Sequence, residues 1–362
     1  MATLNFPRML AAESKAVSAN AASGQAVEPV DSWKQIIGPV EPFLEAVSRR
    51  LAREVESFDQ DILPYADYAL NGQGKHLRPA LVALTANALG RAVEDHVAAA
   101  VIIEMVHLAT LVHDDVMDEA EIRRGRLTLA ANWGNEIAVL FGDCLFANAL
   151  ILAARFPTPE VCRAVATATS TVCSGEILQT QHRRDFQFTR QKYFKVLEMK
   201  TAELFALSCE LSAFLSGSKP ELRAALRQFG LAFGTAYQIY DDCLDLFGSE
   251  EMAGKSLGTD LAKGKLTLPV LLVWERADEA DRVRLQGIVQ GWKNGSMKRL
   301  GGLLAKYEAM AAAAEILRRY LEQARRALRQ LPVSEGRAGL IGLTEYLARQ
   351  AEMLEADPRG SL

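Results

Sequence analysis

Two clusters of aspartate carry the most pointed chemistry in this sequence: His113-Asp114-Asp115-Val116-Met117-Asp118 and Tyr240-Asp241-Asp242-Cys243-Leu244-Asp245. Each closes a long apolar run, and in each the first and last carboxylates are four residues apart, which places them on one helical face about one turn from each other. Like charges so placed repel, and carboxylates flanked by apolar residues cost on the order of several kcal/mol unless a cation or hydrogen bonds compensate. One such string alone reads equally well as a solvated helix end. Two with the same internal spacing call for something positive between them. Carboxylate oxygens without His or Cys in ligand spacing favour a hard cation, Mg²⁺, which keeps water and shares its coordination with substrate phosphates. A phosphorylated substrate is therefore expected.

Basic residues stand ready to receive those phosphates. Arg123 and Arg124 follow the first cluster, and the turn Gly72-Gln73-Gly74-Lys75-His76-Leu77-Arg78-Pro79 leads into a helix, offering backbone N–H groups together with Lys75 and Arg78. The stretch from Gly254 to Lys265, with Lys255, Lys263 and Lys265, follows the second cluster. Each basic group alone is an ordinary solvated surface, but their placement beside the acidic clusters describes a diphosphate cradle. The glycine turn lacks the GxxxxGK[ST] spacing and has no strand before it, which disfavours nucleotide hydrolysis. His107, one heptad before Asp114, reads equally as a phosphate contact or as a satisfied core histidine.

The elements that position these groups are helices. From Asp31 onward apolar residues recur at helical spacing, with Ala and Leu in place of short Val, Ile and Thr runs, so an all-α fold is predicted. The pattern predicts helices over Ser32 to Glu56, Arg78 to Leu89, Glu94 to Val116, Thr128 to Arg155, Pro159 to Arg183, Arg190 to Leu215 and Pro220 to Phe247, with several more from Leu266 to Glu355. Breaks fall at Asn71 to Lys75, Glu119 to Arg126, Gly248 to Gly264 and Gln290 to Ser296. No shift of composition and no repeat divides residues 31–362, which read as one domain. Residues 1–30, rich in Ala and Ser, read as a disordered tail, with an organelle transit peptide as the alternative.

A chain of 362 residues that is 49% hydrophobic can bury a large core, and its net charge of −4 offers no broad basic surface for nucleic acid. The five cysteines form no CxxC pair and no even framework, so neither zinc nor disulfides are indicated. The apolar stretch from Ile137 to Phe156 is interrupted by Asp143 and Asn148, and no run reaches the ~18 residues of a membrane span. A cytoplasmic location is the expectation.

HDDVMDEAEIRRG, YQIYDDCLD, GQGKHLRP, GEILQTQ, KTAELF and GKSLGTDLAKGKLTLP together resemble the polyprenyl synthetase family, in the family's order, over nearly everything from Ser32 to the C-terminus. The resemblance implies a trans-type polyprenyl diphosphate synthase: a bundle of long antiparallel helices around a deep cavity, acting as a homodimer with Mg²⁺ to condense isopentenyl diphosphate with an allylic diphosphate. Position by position, it implies that Asp114, Asp118, Asp241 and Asp245 hold magnesium. It implies that Lys75, Arg78, His107 and Arg124 hold isopentenyl diphosphate, and that Arg123, Lys200, Thr201, Gln238, Lys255 and Lys265 contact the allylic substrate, with Lys200 and Lys265 also catalytic. His76 departs from the arginine that many relatives carry.

Short-chain members of the family place bulky aromatics four and five residues before the first aspartate, where this chain has Thr110 and Ala109. Small residues there imply an open floor and products of thirty to fifty carbons, precursors of a quinone side chain, with peripheral membrane contact as the product leaves. A terpene cyclase would leave Lys75, Arg78 and Arg124 without a task, and a non-catalytic partner subunit would tend to lose motif residues that are intact here.

Overall fold

The computed structural model describes residues 33–70, 76–123, 125–249, 257–293 and 295–356. The tail 1–30 lies outside them, as do Lys75, Arg124 and Lys255. Seventeen α-helices follow one another among the described residues. They are α1 (Trp33–Ile37), α2 (Glu41–Val55), α3 (Leu63–Leu70), α4 (Leu77–Leu89), α5 (Glu94–Met117), α6 (Leu129–Trp133), α7 (Asn135–Ala154), α8 (Pro159–Gln181) and α9 (Arg190–Leu197). After a π-turn at Glu198–Ala202 come α10 (Glu203–Leu215), α11 (Pro220–Phe247), α12 (Thr259–Ala262), α13 (Leu268–Arg276), α14 (Glu279–Gln290), α15 (Ser296–Lys306), α16 (Ala309–Ala327) and α17 (Glu335–Ala356).

The all-α expectation holds, with local differences that have physical causes. The predicted helix from Ser32 is divided at Gly38–Val40 by a 3₁₀ turn containing Pro39, and the helix predicted from Thr128 is divided at Gly134, whose φ of +90° no right-handed helix contains. The short helix α3 escaped prediction. Between the first acidic cluster and α6 the chain makes a two-residue antiparallel hairpin, Ile122–Arg123 paired with Arg126–Leu127, turning at Gly125. Its register sets Arg123 opposite Arg126.

Two apolar clusters make up the core. α10 separates them: Phe205, Cys209 and Ala213 enter one, while Leu204, Leu207 and Leu211 enter the other. A helix apolar on every side must be covered on every side, and α10 packs on α4, α5, α8 and α11. α5 packs along α7, and α11 along α16 as well as α10. The outcome is that the two longest central helices, α5 and α11, each end in one aspartate cluster. All five cysteines are free, with Cys209 and Cys243 buried. By length and composition α5 and α7 could each cross a membrane; α5 is 78% buried over its most apolar window, as core helices are, whereas α7 is only 39% buried.

Candidate active site

Asp114 and Asp115 occupy the last turn of α5 and Asp118 caps it; Asp241, Asp242 and Asp245 occupy the last turns of α11. All six are buried. A helix C-terminus carries partial negative charge, so carboxylates there are opposed by both the dipole and one another. The protein answers with cations from other elements. Asp115 accepts a bifurcated bond from Arg123 Nε at 2.8 and 2.9 Å, and Arg123 Nη2 lies 2.7 Å from its Oδ1. Asp118 accepts from Lys265 Nζ at 2.7 Å and Arg183 at 3.0 Å, with Lys263 Nζ at 3.3 Å. Lys200 Nζ lies 3.7 Å from Asp114 Oδ2, contacts Glu176 and donates to Gln179 Oε1 at 2.9 Å.

The charges shift accordingly. Burial pushes Asp114 up, but Lys200, Lys265 and Arg123 outweigh it and hold the carboxyl below its ordinary value. Asp118 is likewise pushed up by burial and brought well below the usual range by Lys265 and Lys263. Burial pulls Lys200 down, yet Asp114 and Glu176 raise it above a free lysine. Asp242 differs: burial and the neighbouring Asp260 raise it well above the usual range.

Lys200 and Thr201 owe their position to the π-turn that joins α9 to α10. Such a turn inserts one extra residue and re-aims the side chains it carries. Gly175 of α8 lets it come close, since a Cβ there would lie 2.8 Å from the backbone nitrogen of Lys200; Gly234 of α11 does the same against Ala202. Thr201 donates to Gln238 Oε1 at 2.9 Å, Gln238 donates to Asp242 at 2.9 Å, and Tyr193 donates to the other oxygen of Asp242 at 2.5 Å. This chain of bonds ties the π-turn to the second aspartate cluster.

Two cavities meet at Lys200. One, of about 610 Å³ with its mouth, is the more polar of the two, with Gln179, Thr201, Gln238, Asp241, Asp260 and Lys265 on its wall beside Phe188 and Leu197. The other, of about 1100 Å³ with its mouth, is mostly apolar and lined by Asp114, Thr110, Val116, Phe146, Val172 and Ile177. Lys200 lines both. A charged head group seated between the aspartate clusters would thus have an apolar trough beside it.

The structure therefore brings together Asp114, Asp118, Asp241, Arg123, Lys200, Thr201, Gln238 and Lys265. Asp245 accepts from Thr259 Oγ1 at 2.9 Å and from the N–H groups of Thr259 and Asp260 at 3.3 Å, so its oxygens secure the start of α12. Arg78 and His107 are buried on α4 and α5, with the Arg78 guanidinium 4.8 Å from the ring centre of Phe205. Thr110 lines the apolar cavity, whereas Ala109 is fully buried in the core cluster. Glu176, Arg183 and Tyr193 were not singled out from sequence. Glu176 sits inside the quoted GEILQTQ string, but Tyr193 carries no local signal, because only folding sets it against Asp242.

Among the described residues, no three His, Cys, Asp or Glu side chains form a metal-binding group by themselves. The carboxylates of Asp114, Asp118 and Asp241 are the oxygen donors that a hard divalent cation takes.

Two acidic helix ends answered by buried lysines, with a polar cavity and an apolar trough sharing one lysine, define an enzyme of the isoprenoid synthase fold that handles prenyl diphosphates. The chain belongs to the polyprenyl synthetase family, which residues 59–304 match. It is 33% identical over 308 residues to heptaprenyl diphosphate synthase component 2 of Bacillus subtilis, covering 85% of this chain and 88% of that one. It is 34% identical over 312 residues to octaprenyl diphosphate synthase of Escherichia coli, covering 85% and 95%. A polyprenyl synthase from Caulobacter crescentus, solved in complex with calcium and isoprenyl diphosphate, superposes with a TM-score of 0.83 at 30% identity, covering 89% of this chain and 98% of that one. The chain is accordingly a prenyltransferase that elongates polyprenyl diphosphates.

Proposed function

We propose that this enzyme condenses isopentenyl diphosphate with an allylic diphosphate, repeatedly, to an all-trans product of thirty to fifty carbons that serves as a quinone side-chain precursor. The observation that carries this reading is the junction at Lys200, where the polar and apolar cavities share one wall. The allylic diphosphate sits between the aspartate clusters, and its hydrocarbon tail lies in the trough past Thr110.

Magnesium would be held by Asp114, Asp118, Asp241 and Asp245, and would supply Lewis-acid stabilisation of the departing diphosphate. The calcium in the Caulobacter structure supports a divalent ion. Lys200, Lys265 and Arg123 place fixed positive charge where negative charge grows as the allylic carbon–oxygen bond breaks. Thr201 and Gln238, locked through Asp242 and Tyr193, orient the head group. Arg78 and His107, with Lys75 and Arg124, hold isopentenyl diphosphate so that its double bond faces the forming cation. The departing diphosphate takes the proton, and the apolar walls keep water from the cation.

The trough is open beside Val139 and Ile177, which are 40% and 59% exposed. A second copy laid on α7 and α8 would cover it, which supports a homodimer. The name of the Bacillus relative, a component 2, favours a second reading in which a different subunit completes the enzyme.

The test is mass analysis of products made by the isolated protein from farnesyl diphosphate, isopentenyl diphosphate and magnesium. Products of thirty to fifty carbons are expected. Arrest at fifteen or twenty carbons refutes the open floor, and turnover only after another chain is added establishes the two-component reading.

A further inference from the structure

Asp118 is surrounded by more positive charge than its carboxylate can balance. Lys265 Nζ lies 2.7 Å and Lys263 Nζ 3.3 Å from its Oδ2, and Arg183 Nη2 donates to its Oδ1 at 3.0 Å. Three cations thus meet one carboxylate, and both of its oxygens are taken. The reading above gives Lys265 a task but leaves Arg183 and Lys263 without one. A strained junction brings these two together. Arg184, just past α8, has a φ of +59°, and its N–H donates at 2.7 Å to the carbonyl of Gly264, whose own φ is +79°. A Cβ on Gly264 would lie 2.6 Å from Arg184 Cγ, so glycine is what permits the approach. Left-handed backbone outside glycine persists only where its surroundings hold it, and it gathers at ligand clamps. Arg183 precedes Arg184 and Lys263 precedes Gly264, so this one bond sets both cations beside Asp118. Both are partly exposed, whereas Asp118 and Lys265 are buried. Among the described residues, no acceptor meets the buried Nε of Arg183, although an unmet buried donor is costly.

We infer that Arg183 and Lys263 are further binding residues for the diphosphate of the allylic substrate, beside Lys265. The inference rests on the reading that this diphosphate sits between the aspartate clusters. The neighbouring carboxylates have cations of their own, Arg123 on Asp115 and Lys200 on Asp114 and Glu176, so the surplus at Asp118 is local. A divalent ion on Asp118 adds to the positive side. The anion that balances the group is therefore one that arrives with the substrate. A diphosphate fits, because it brings several negative charges and enough acceptor oxygens for a guanidinium and two ammonium groups at once. The planar fork of Arg183 matches phosphate oxygens, and its unmet Nε–H supplies a second donor. The same two cations repel a metal ion that comes without an anion. Arg183 and Lys263 thus favour diphosphate and disfavour bare magnesium at Asp118.

The test measures, by calorimetry on the full chain, the binding of inorganic diphosphate with magnesium present and of magnesium alone, together with KM for each substrate. Arg183→Gln and Lys263→Gln should each weaken diphosphate binding on the order of tenfold and raise the KM for farnesyl diphosphate to a like degree, with the KM for isopentenyl diphosphate unchanged. Magnesium alone should bind both variants roughly threefold more tightly than wild type, because a like charge has left. Arg183→Lys keeps the charge, so it should bind magnesium alone as wild type does and hold diphosphate better than Arg183→Gln. The opposite signs separate this role from packing, which would weaken both ligands together. Gln variants that bind diphosphate as wild type does, or whose magnesium and diphosphate affinities fall in parallel, overturn the inference alone. If Arg183→Gln fails to fold, Lys263→Gln and Arg183→Lys decide the matter. A wild type that binds no diphosphate with magnesium present refutes the seating of the head group between the aspartate clusters, and this inference with it.

Discussion

Asp114 stands in the last turn of α5, at the negative end of the helix dipole, and Asp118 follows one turn on. Stability alone would not select carboxylates here, so their value must lie in what they bind. Asp114→Ala or Asp241→Ala is expected to lower turnover on the order of a hundredfold or more while leaving the circular dichroism unchanged, because leaving-group stabilisation is lost and the fold is not. Near wild-type activity in a folded variant would sink the metal assignment. The same residues set a pH dependence of stability in the metal-free protein. Asp118 has a folded pKa well below its unfolded value, so the stability it contributes is full above about pH 4 and is lost as pH falls toward the folded value. Asp118→Asn should therefore flatten the acid limb of the stability profile below about pH 4. A variant whose urea midpoint falls with acid as steeply as wild type would show that the lysines around Asp118 do not act through its charge.

At the scale of elements, the site is made by where helices stop and where one is interrupted. The π-turn at Glu198–Ala202 breaks the register between α9 and α10, and this break aims both Lys200 and Thr201 at the cavities. α5 does a second job along its length. Thr110 lies about 6 Å below Asp114 at 1.5 Å per residue and lines the apolar trough, with Phe146 of α7 on the trough wall as well. Ala109 is packed into the core, so enlarging it strains the helix interface before it reaches the substrate. Thr110→Phe is thus the cleaner probe: products should shorten to twenty carbons or fewer, read by mass, with the first condensation still running. An unchanged product distribution would mean that the tail does not pass this residue.

At the scale of the molecule, α7 is the element whose composition the monomer does not explain. Leu140 and Ile151 are 62% and 53% exposed, and Val139 and Leu150 add to the same apolar surface. In the proposed homodimer this is the face that the second copy covers. Leu140→Lys combined with Ile151→Lys should shift the protein to monomer in sedimentation and lower turnover roughly tenfold, since the trough would then stay open to water. If the double variant remains a dimer, the partner binds elsewhere.

The sequence by itself determined the helical class, the two aspartate clusters and the family, because helical periodicity and motif spacing are local properties that survive without coordinates. It also placed most helix bounds to within a residue or two, as at Pro220–Phe247, where proline at the start and glycine just past the end punctuate the run. What it could not reach are relations between elements. That Lys265 answers Asp118 from far along the chain, that Tyr193 donates to Asp242, and that Thr110 faces the trough while its neighbour Ala109 faces the core all depend on how helices are rotated and stacked. A one-residue turn on an α-helix swings a side chain by about 100°, and the π-turn at Lys200 shifts that phase once more. Only close packing of the whole bundle fixes those angles, and so only the tertiary structure decided which groups share the active site.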